Sequence, residues 1–214
     1  MKATNLFTAF LLTVFTIALV TFVGCSSTGM ERSNEATTTM QTMDSDIKLV
    51  VVQLDATSAS LDELTNPIQS DVMKAFNLYS SNVLKIESME KDFAKHSNEM
   101  KARGKDYFEE WQKEDDEYNN PQIQDLSEQR RSELDETYGK IAENSIGVES
   151  AFKAYVSDVK EIQIYLSNDL TPKGIASIAP LSQRVVKDGD DLRNAIKNVQ
   201  SAIESARSAM VTLQ

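Results

Sequence analysis

The sequence predicts an all-α protein: an elongated antiparallel up-down-up-down helical bundle with coiled-coil-like packing, preceded by a signal peptide and a flexible tether. Apolar residues recur at alternating steps of three and four over most of the chain after residue 40, a repeat typical of left-handed coiled-coil packing. Seven glycines and four prolines in 214 residues are too few for the tight turns of an all-β protein. Three Asn-Pro or Thr-Pro pairs divide the pattern into four segments: Asn66-Pro67, Asn120-Pro121 and Thr171-Pro172.

Residues 1–24 have the order of a secretory signal. Lys2 supplies a positive charge, residues 6–23 are apolar apart from threonines, and Gly24 closes the apolar run directly before Cys25. This order of charge, apolar core and small residue predicts a cleaved leader. Two alternatives stay open, namely a transmembrane anchor, for which about 18 apolar residues suffice, and an ordinary cleaved signal that leaves a free cysteine.

The segment Phe22-Val23-Gly24-Cys25 resembles the lipobox of bacterial lipoproteins. The resemblance implies that the signal peptide is cut before Cys25, that the Cys25 sulfur receives a diacylglycerol, and that the new amine is acylated. Cys25 is therefore the predicted lipidation site. Family sorting rules imply an outer-membrane destination, because Ser26 is not an Asp.

Residues 25–39 are predicted to form a lipidated, flexible tether, since they are rich in Ser, Thr and Glu and lack an apolar period. The helical bundle domain is predicted over residues 40–214. Its first helix carries an apolar stripe that runs without a break from Met40 to Leu64.

The other three helices are separated by the proline-containing breaks. The second is predicted from about Pro67 to Tyr118 with Asn66 as its N-cap, and the third from about Pro121 to Leu166. The fourth begins at Pro172, and Pro180 is expected to kink its start. Short connections predict antiparallel neighbours.

The register of these hairpins predicts specific neighbours. Folding the second and third helices back about residue 121 places Gly104 opposite Tyr138, and folding about residue 170 places Gly189 opposite Phe152. The start of the first helix, the 119–121 turn and the end of the fourth helix are expected at the same end of the bundle.

Composition excludes several classes of function. The formal charge is −11, or −12 for a chain that starts at Cys25, and no basic run interrupts it, so nucleic-acid binding is excluded. A single Cys rules out an internal disulfide. The single histidine, His96, lacks the Glu three positions before it that di-iron bundles require. We therefore predict no catalytic residue, no metal and no cofactor, and the chain is not expected to be an enzyme.

The segment 109–117 holds six carboxylates and one lysine at helical spacing, without the glycine turn of a calcium loop. We interpret it as a solvated helix end, and weak divalent-cation binding is the alternative. Aromatic residues on the same stretch are expected to seal the hairpin tip rather than bind a ligand: Tyr107, Trp111 and Tyr118 would pack on Ile123 and Leu126.

Motifs in the second half of the chain resemble a family of bacterial envelope proteins that is catalogued only as a domain of unknown function. The family is found mainly in gammaproteobacteria and is predicted to be coiled coil. The resemblance covers about residues 83–210 and implies no activity, cofactor or catalytic residue. The residues that carry it are Arg103, Tyr107, Phe108, Glu110 and Trp111, the run 165–170, and Ile175-Ala176-Ser177.

These observations predict a lipid-anchored lipoprotein on the inner leaflet of the outer membrane, facing the periplasm. Its expected role is that of a structural or protein-interaction module with an unidentified envelope protein partner. The alternatives are a ligand- or divalent-metal-binding bundle and an accessory subunit of an envelope enzyme or transporter. The segment 165–177 is interpreted as a helix end, a cap and a new helix start, or as a partner-docking loop, and the oligomeric state stays open.

Overall fold

The computed structural model describes residues 28–66, 68–115 and 118–210, which form four helices and no strand. Each helix packs against two neighbours, in the ring order α1, α2, α3, α4 and back to α1. The all-α bundle with up-down-up-down topology is therefore confirmed. At 1.5 Å per residue the 44 residues of α2 span about 66 Å, so the bundle is elongated. The helices are α1 (Gly29–Thr65), α2 (Val72–Asp115), α3 (Pro121–Asn168) and α4 (Pro172–Met210).

The core is a continuous column of side chains along the bundle axis. The predicted apolar stripes supply it, with Ile47, Val83 and Ile196 fully or almost fully buried. Near its middle, the rings of Phe93 and Phe152 meet edge to face with centroids 5.8 Å apart, a favoured arrangement of two aromatic rings. A coiled-coil-like seam is thus filled by one or two side chains per turn from every helix.

The predicted flexible tether over residues 25–39 is wrong from residue 29 onward, because α1 begins at Gly29. Thr28 and Glu31 form a capping box: the Glu31 amide donates to Thr28 Oγ1 (3.2 Å), and the Thr28 amide donates to Glu31 Oε2 (2.8 Å). Ala36 is fully buried, so the buried stripe of α1 begins before Met40. The predicted signal peptide of residues 1–24 and the predicted lipidation site Cys25 lie outside the described residues.

The predicted start of the second helix is also wrong. Asn66 ends α1 rather than capping α2, since its amide donates to the Glu63 carbonyl (3.3 Å) and its side chain accepts from the Ile68 amide (3.1 Å). Asp71 performs the capping role instead, with its carboxylate accepting from the Lys74 amide (3.0 Å). An Asn favours a turn as readily as a cap, and Asn66 stabilises the turn after α1.

The other two proline-marked starts are confirmed. Asn120 accepts from the Gln122 amide (3.0 Å) directly before α3, and Thr171 Oγ1 accepts from the Gly174 amide (3.2 Å) at the start of α4. Proline at the first helical position loses no hydrogen bond, because that amide has no partner inside the helix. Pro180 lies inside α4.

One of the two predicted glycine contacts is confirmed. A Cβ at Gly104 would overlap the ring of Tyr138, as predicted, but Gly189 faces Tyr155 and Ser58 instead of Phe152. The Tyr155 hydroxyl lies 3.3 Å from Ser58 Oγ. A buried phenol needs a polar partner, whereas Phe152 needs none, so the tyrosine occupies the position beside Ser58.

Candidate functional site

The two ends of the bundle differ in chemistry. We call residues 28–35, 107–115, 118–130 and 206–210 the acidic end, and residues 61–66, 68–76 and 162–179 the opposite end. At the acidic end, α1 begins, α2 turns into α3 and the described part of α4 ends, as predicted. Arg130 of α3 donates to the Ala209 carbonyl of α4 (2.6 Å) and thereby joins the two helices there.

The first turns of α1 are fixed to α2 by two ion pairs. The guanidinium of Arg32, whose side chain is only 8 % exposed, contacts the carboxylate of Glu114. One turn later, Glu35 pairs with Arg103 (3.1 Å) on the exposed side of the same contact. Because a buried charge is costly without a partner, Glu114 of the acidic stretch has a structural role: it holds the polar start of α1 against the bundle.

An aromatic cluster closes the acidic end from inside. Tyr107 packs on Phe108 and Trp111 with ring centroids 5.0 and 5.6 Å away, and Phe108 packs edge to face on Tyr138 at 5.8 Å. The indole of Trp111 donates to Ser127 Oγ (2.8 Å). Burial raises the pKa of Tyr107, against a hydrogen bond with Ser33 that lowers it.

The predicted packing of this cluster on Ile123 and Leu126 is wrong. Ile123 is 48 % exposed, Leu126 is 67 % exposed, and Tyr118 is 41 % exposed. Instead, Phe108 packs on Tyr138, Tyr107 packs on Phe108 and Trp111, and Tyr118 stays exposed. Ile123 and Leu126 both lie off the buried stripe of α3, on a face that is still exposed seven residues later at Arg130 and Glu133.

Exposed apolar side chains therefore accompany the carboxylates at the acidic end. We call them the apolar rim, and its members are Met30, Tyr118, Ile123 and Leu126. Among the carboxylates, Glu110 accepts a hydrogen bond from Lys113 (2.5 Å), which lowers the pKa of Glu110. Within the described ranges, no group of His, Cys, Asp or Glu side chains is arranged to hold a metal ion. The divalent-cation alternative for residues 109–117 stays a prediction.

The opposite end combines a cavity with exposed apolar residues. The cavity has a volume of about 380 Å³ and lies between the end of α1 and the start of α4, where Leu64, Val72 and Ile175 line it. Ile68 in the α1–α2 connection is 85 % exposed, and Met73 is also exposed. The segment 165–177 forms a helix end, a cap at Thr171 and a new helix start, as interpreted from the sequence.

Several polar side chains inside the bundle have hydrogen-bond partners within it. Ser97 Oγ donates to Glu149 (2.5 Å) and Ser145 Oγ donates to the Ile141 carbonyl (2.7 Å), so neither fully buried hydroxyl has a free donor. Asn82, which sequence reasoning missed, connects Gln53 and Ser60 of α1 through its side chain (3.2 and 3.1 Å). His96 flanks the core and contacts Asp46 (2.5 Å).

None of the four described helices contains an apolar stretch long enough to cross a membrane. Comparison with known proteins gives one finding about the family. The sequence model of a family described as "Protein of unknown function (DUF2959)" matches residues 33–213, which include parts of all four helices. No curated protein and no solved structure matches the chain.

Proposed function

The chain belongs to the DUF2959 family of proteins of unknown function, and we propose that it acts as a lipid-anchored structural or protein-interaction module of the bacterial cell envelope. In this proposal the bundle faces the periplasm from the inner leaflet of the outer membrane. The module has no catalytic role.

One observation carries the proposal. The only cysteine of the chain, Cys25, stands directly after the small residue that ends an apolar run, and α1 begins four residues later at Gly29. Acyl chains on this cysteine would contribute roughly 0.8 kcal/mol per buried CH₂, so two or three chains anchor a protein stably.

The interior of the bundle supports a role without catalysis. An enzyme needs polar groups that converge in a cleft shielded from water. Here the buried hydroxyls of Ser97 and Ser145 are engaged within the bundle, and the buried amides of Gln53 and Asn82 bond to each other. Polar groups of this kind orient the helices against each other.

The opposite end supports contact with a protein partner. It joins a cavity of about 380 Å³ to the exposed side chains of Ile68 and Met73. Exposed apolar surface next to a cavity is typical of a protein interface. This end lies about 55 Å from Gly29 along α1, so a partner here would not compete with the anchored end.

Labelling of cells with radioactive palmitate tests the anchor. We expect the label to enter the wild-type protein and not Cys25→Ser, which should leave the membrane fraction. Ser26→Asp should keep the label and move to the inner-membrane fraction in a density gradient. Unlabelled wild-type protein, or a labelled Cys25→Ser variant, would disprove the anchor.

Photo-crosslinking in intact cells tests the partner face. A photoreactive amino acid replaces Ile68 or Met73 at the opposite end, and Val52 or Leu84, which are also exposed, in the matched control variants. We expect one defined adduct from the first pair only. Equal adducts from both pairs, or none from the first, would contradict a docking role for the opposite end.

A further inference from the structure

We propose that the acidic end rests on the lipid surface itself, with the apolar rim of Met30, Tyr118, Ile123 and Leu126 entering the interface of a zwitterionic bilayer. This inference rests on the lipid anchor proposed above and goes beyond it. The anchor would hold the protein to the membrane, whereas the rim would determine which surface of the bundle touches the lipid.

The first argument is the length of chain between anchor and bundle. Four Cα–Cα steps of 3.8 Å join Cys25 to Gly29, so the start of α1 lies at most about 15 Å from the acylated residue. The polar headgroup region is about 5–8 Å thick on each side of a bilayer. The acidic end is therefore held within about two headgroup thicknesses of the surface.

The second argument is the fixed start of α1. A flexible tether would let the bundle swing away from the membrane. Instead the capping box of Thr28 and Glu31 begins the helix at Gly29, and the Arg32–Glu114 pair holds that helix against α2. A short connection to a fixed helix restricts which surface of the bundle can face the lipid.

The third argument is the chemistry of the exposed side chains. All four members of the apolar rim belong to α1, the α2–α3 connection or the start of α3, and these segments meet at the acidic end. An exposed tyrosine such as Tyr118 suits the bilayer interface, because its ring is apolar and its hydroxyl is polar. Exposed apolar side chains occur elsewhere on the bundle too, for example at Ile68 and Met73, and those of the apolar rim are the ones that the short connection to Cys25 keeps near the lipid.

Charge determines which lipid fits. Glu109, Glu110 and Glu114 lie at the same end, and Lys113 there is paired with Glu110. Carboxylates near a membrane are repelled by the negative surface potential of anionic lipids, over roughly one Debye length. The surface therefore fits a zwitterionic lipid, and anionic lipid should weaken the contact in a salt-dependent manner.

Depth-dependent fluorescence quenching tests the contact, because Trp111 is the only tryptophan of the chain. The acylated full-length protein is reconstituted into phosphatidylcholine vesicles that contain lipids brominated near the headgroup. Three single-tryptophan proteins are compared: the wild type, Trp111→Phe with Leu126→Trp, and Trp111→Phe with Ile68→Trp. We expect at least twofold quenching for Leu126→Trp, less for native Trp111 and none for Ile68→Trp.

Every other pattern overturns the inference. Equal quenching of Leu126→Trp and Ile68→Trp would mean that the rod lies along the membrane. No quenching of Leu126→Trp would mean that the acidic end stays off the lipid. Palmitate labelling of the same proteins separates the two proposals: an unlabelled protein refutes the anchor, whereas a labelled but unquenched Leu126→Trp variant refutes only the lipid contact.

Variants that remove the rim provide an independent test. Ile123→Ser with Leu126→Ser should reduce the quenching of native Trp111 at least twofold, while Val52→Ser with Leu84→Ser, exposed to a similar degree, should leave it unchanged. Replacing about a third of the phosphatidylcholine by phosphatidylglycerol should also reduce quenching, and 0.5 M salt should restore it by screening. Equal effects of the two serine pairs, or stronger quenching on anionic vesicles, would contradict the inference.

Discussion

At position 104 the absence of a side chain makes room for the ring of Tyr138. The Tyr138 hydroxyl donates to the Met100 carbonyl of α2, the group that normally accepts from the amide of residue 104. Burial raises the pKa of Tyr138, and hydrogen bonds with Thr39 and with the Gly104 backbone act against this shift. One phenol thus joins α1, α2 and α3 near the acidic end, and it needs a glycine beside it.

Gly104→Ala should lower the free energy of unfolding by up to about 2 kcal/mol. The new methyl group would overlap the Tyr138 ring, and such overpacking destabilises a protein by about 1–3 kcal/mol. The higher helix propensity of Ala offsets about 1 kcal/mol of this loss. Urea denaturation followed by circular dichroism measures the change.

Gly139→Ala is the matched control, because a Cβ there meets nothing within 4 Å. It should stabilise the protein by about 0.4–1 kcal/mol. In a background with Tyr138→Leu, Gly104→Ala should cost less than it does alone. A destabilising Gly139→Ala, or a Gly104→Ala cost that is unchanged in that background, would contradict the overlap as the cause.

Asp62→Asn should stabilise the protein at neutral pH. Burial raises the pKa of Asp62, and repulsion from Asp190 raises it further. Because the folded state holds this proton more tightly than the unfolded chain, stability decreases as pH rises through the raised pKa and the whole loss is present at pH 7. We expect Tm to rise by only about 1–2 °C at pH 7, because the side chain is only partly buried and solvent weakens both effects.

Below about pH 3 the carboxyl is protonated in both states, so the wild type and Asp62→Asn should then melt at the same temperature. The gain at pH 7 should also shrink in an Asp190→Asn background, because that change removes the repulsion. Calorimetry measures the Tm of both proteins at the two pH values. A larger Tm difference between wild type and Asp62→Asn at pH 3 than at pH 7 would contradict a raised pKa of Asp62.

At the scale of one element, the start of α1 shows why a sequence pattern misleads. Residues 29–39 are polar enough to suggest a tether, but their polar groups are committed to structure: Thr28 and Glu31 cap the helix, and Arg32 reaches Glu114 of α2. The capping box was readable in the sequence as Thr28-x-x-Glu31. The ion pair was not, since it joins residues 82 positions apart.

Ala36→Asp should detach this first part of α1. Ala36 is fully buried, so an unpaired carboxylate there would be costly. Residues 29–39 should lose hydrogen-exchange protection by at least tenfold while the middle of the bundle keeps its protection. Thr38→Asp, which places the same charge on the exposed side of the turn, should leave the protection unchanged.

The other elements separate what a sequence predicts from what it does not. A proline after Asn120 or Thr171 predicted a helix start correctly, because proline loses nothing at that position. Asn66 was misassigned because the same side chain suits a cap and a turn. Gly189 was assigned the wrong ring because periodicity fixes the face of a helix but not its shift along the axis, which here depends on Tyr155 reaching Ser58.

The candidate site was less predictable than the fold. Local sequence patterns predicted which chain segments meet at the acidic end, but not that Ile123 and Leu126 stay exposed there. Both residues lie beside the buried stripe of α3 rather than on it, and the exposed face that they share continues at Arg130 and Glu133. The position of Cys25 remains a prediction from the sequence.

At the scale of the whole molecule, the bundle should scatter X-rays as a rod. A cylinder about 66 Å long and about 24 Å wide has a radius of gyration of about 21 Å, whereas a compact globule of about 180 residues has about 16 Å. Small-angle scattering of the protein without residues 1–27 measures this value. A radius of gyration near 16 Å would contradict the elongated bundle. A value far above 21 Å at low concentration would indicate that two bundles join end to end.

The ring order also determines where reporters should be placed. Since α4 runs back beside α1, an epitope added after the last helix would stand on the same side as Gly29, within about one or two helix diameters of it. A fluorophore inserted into the 66–71 connection would stand some 55 Å away instead. Energy transfer from each of these two labels to acceptor dyes in the bilayer would give the distance of each end from the membrane. The difference between the two distances gives the tilt of the bundle.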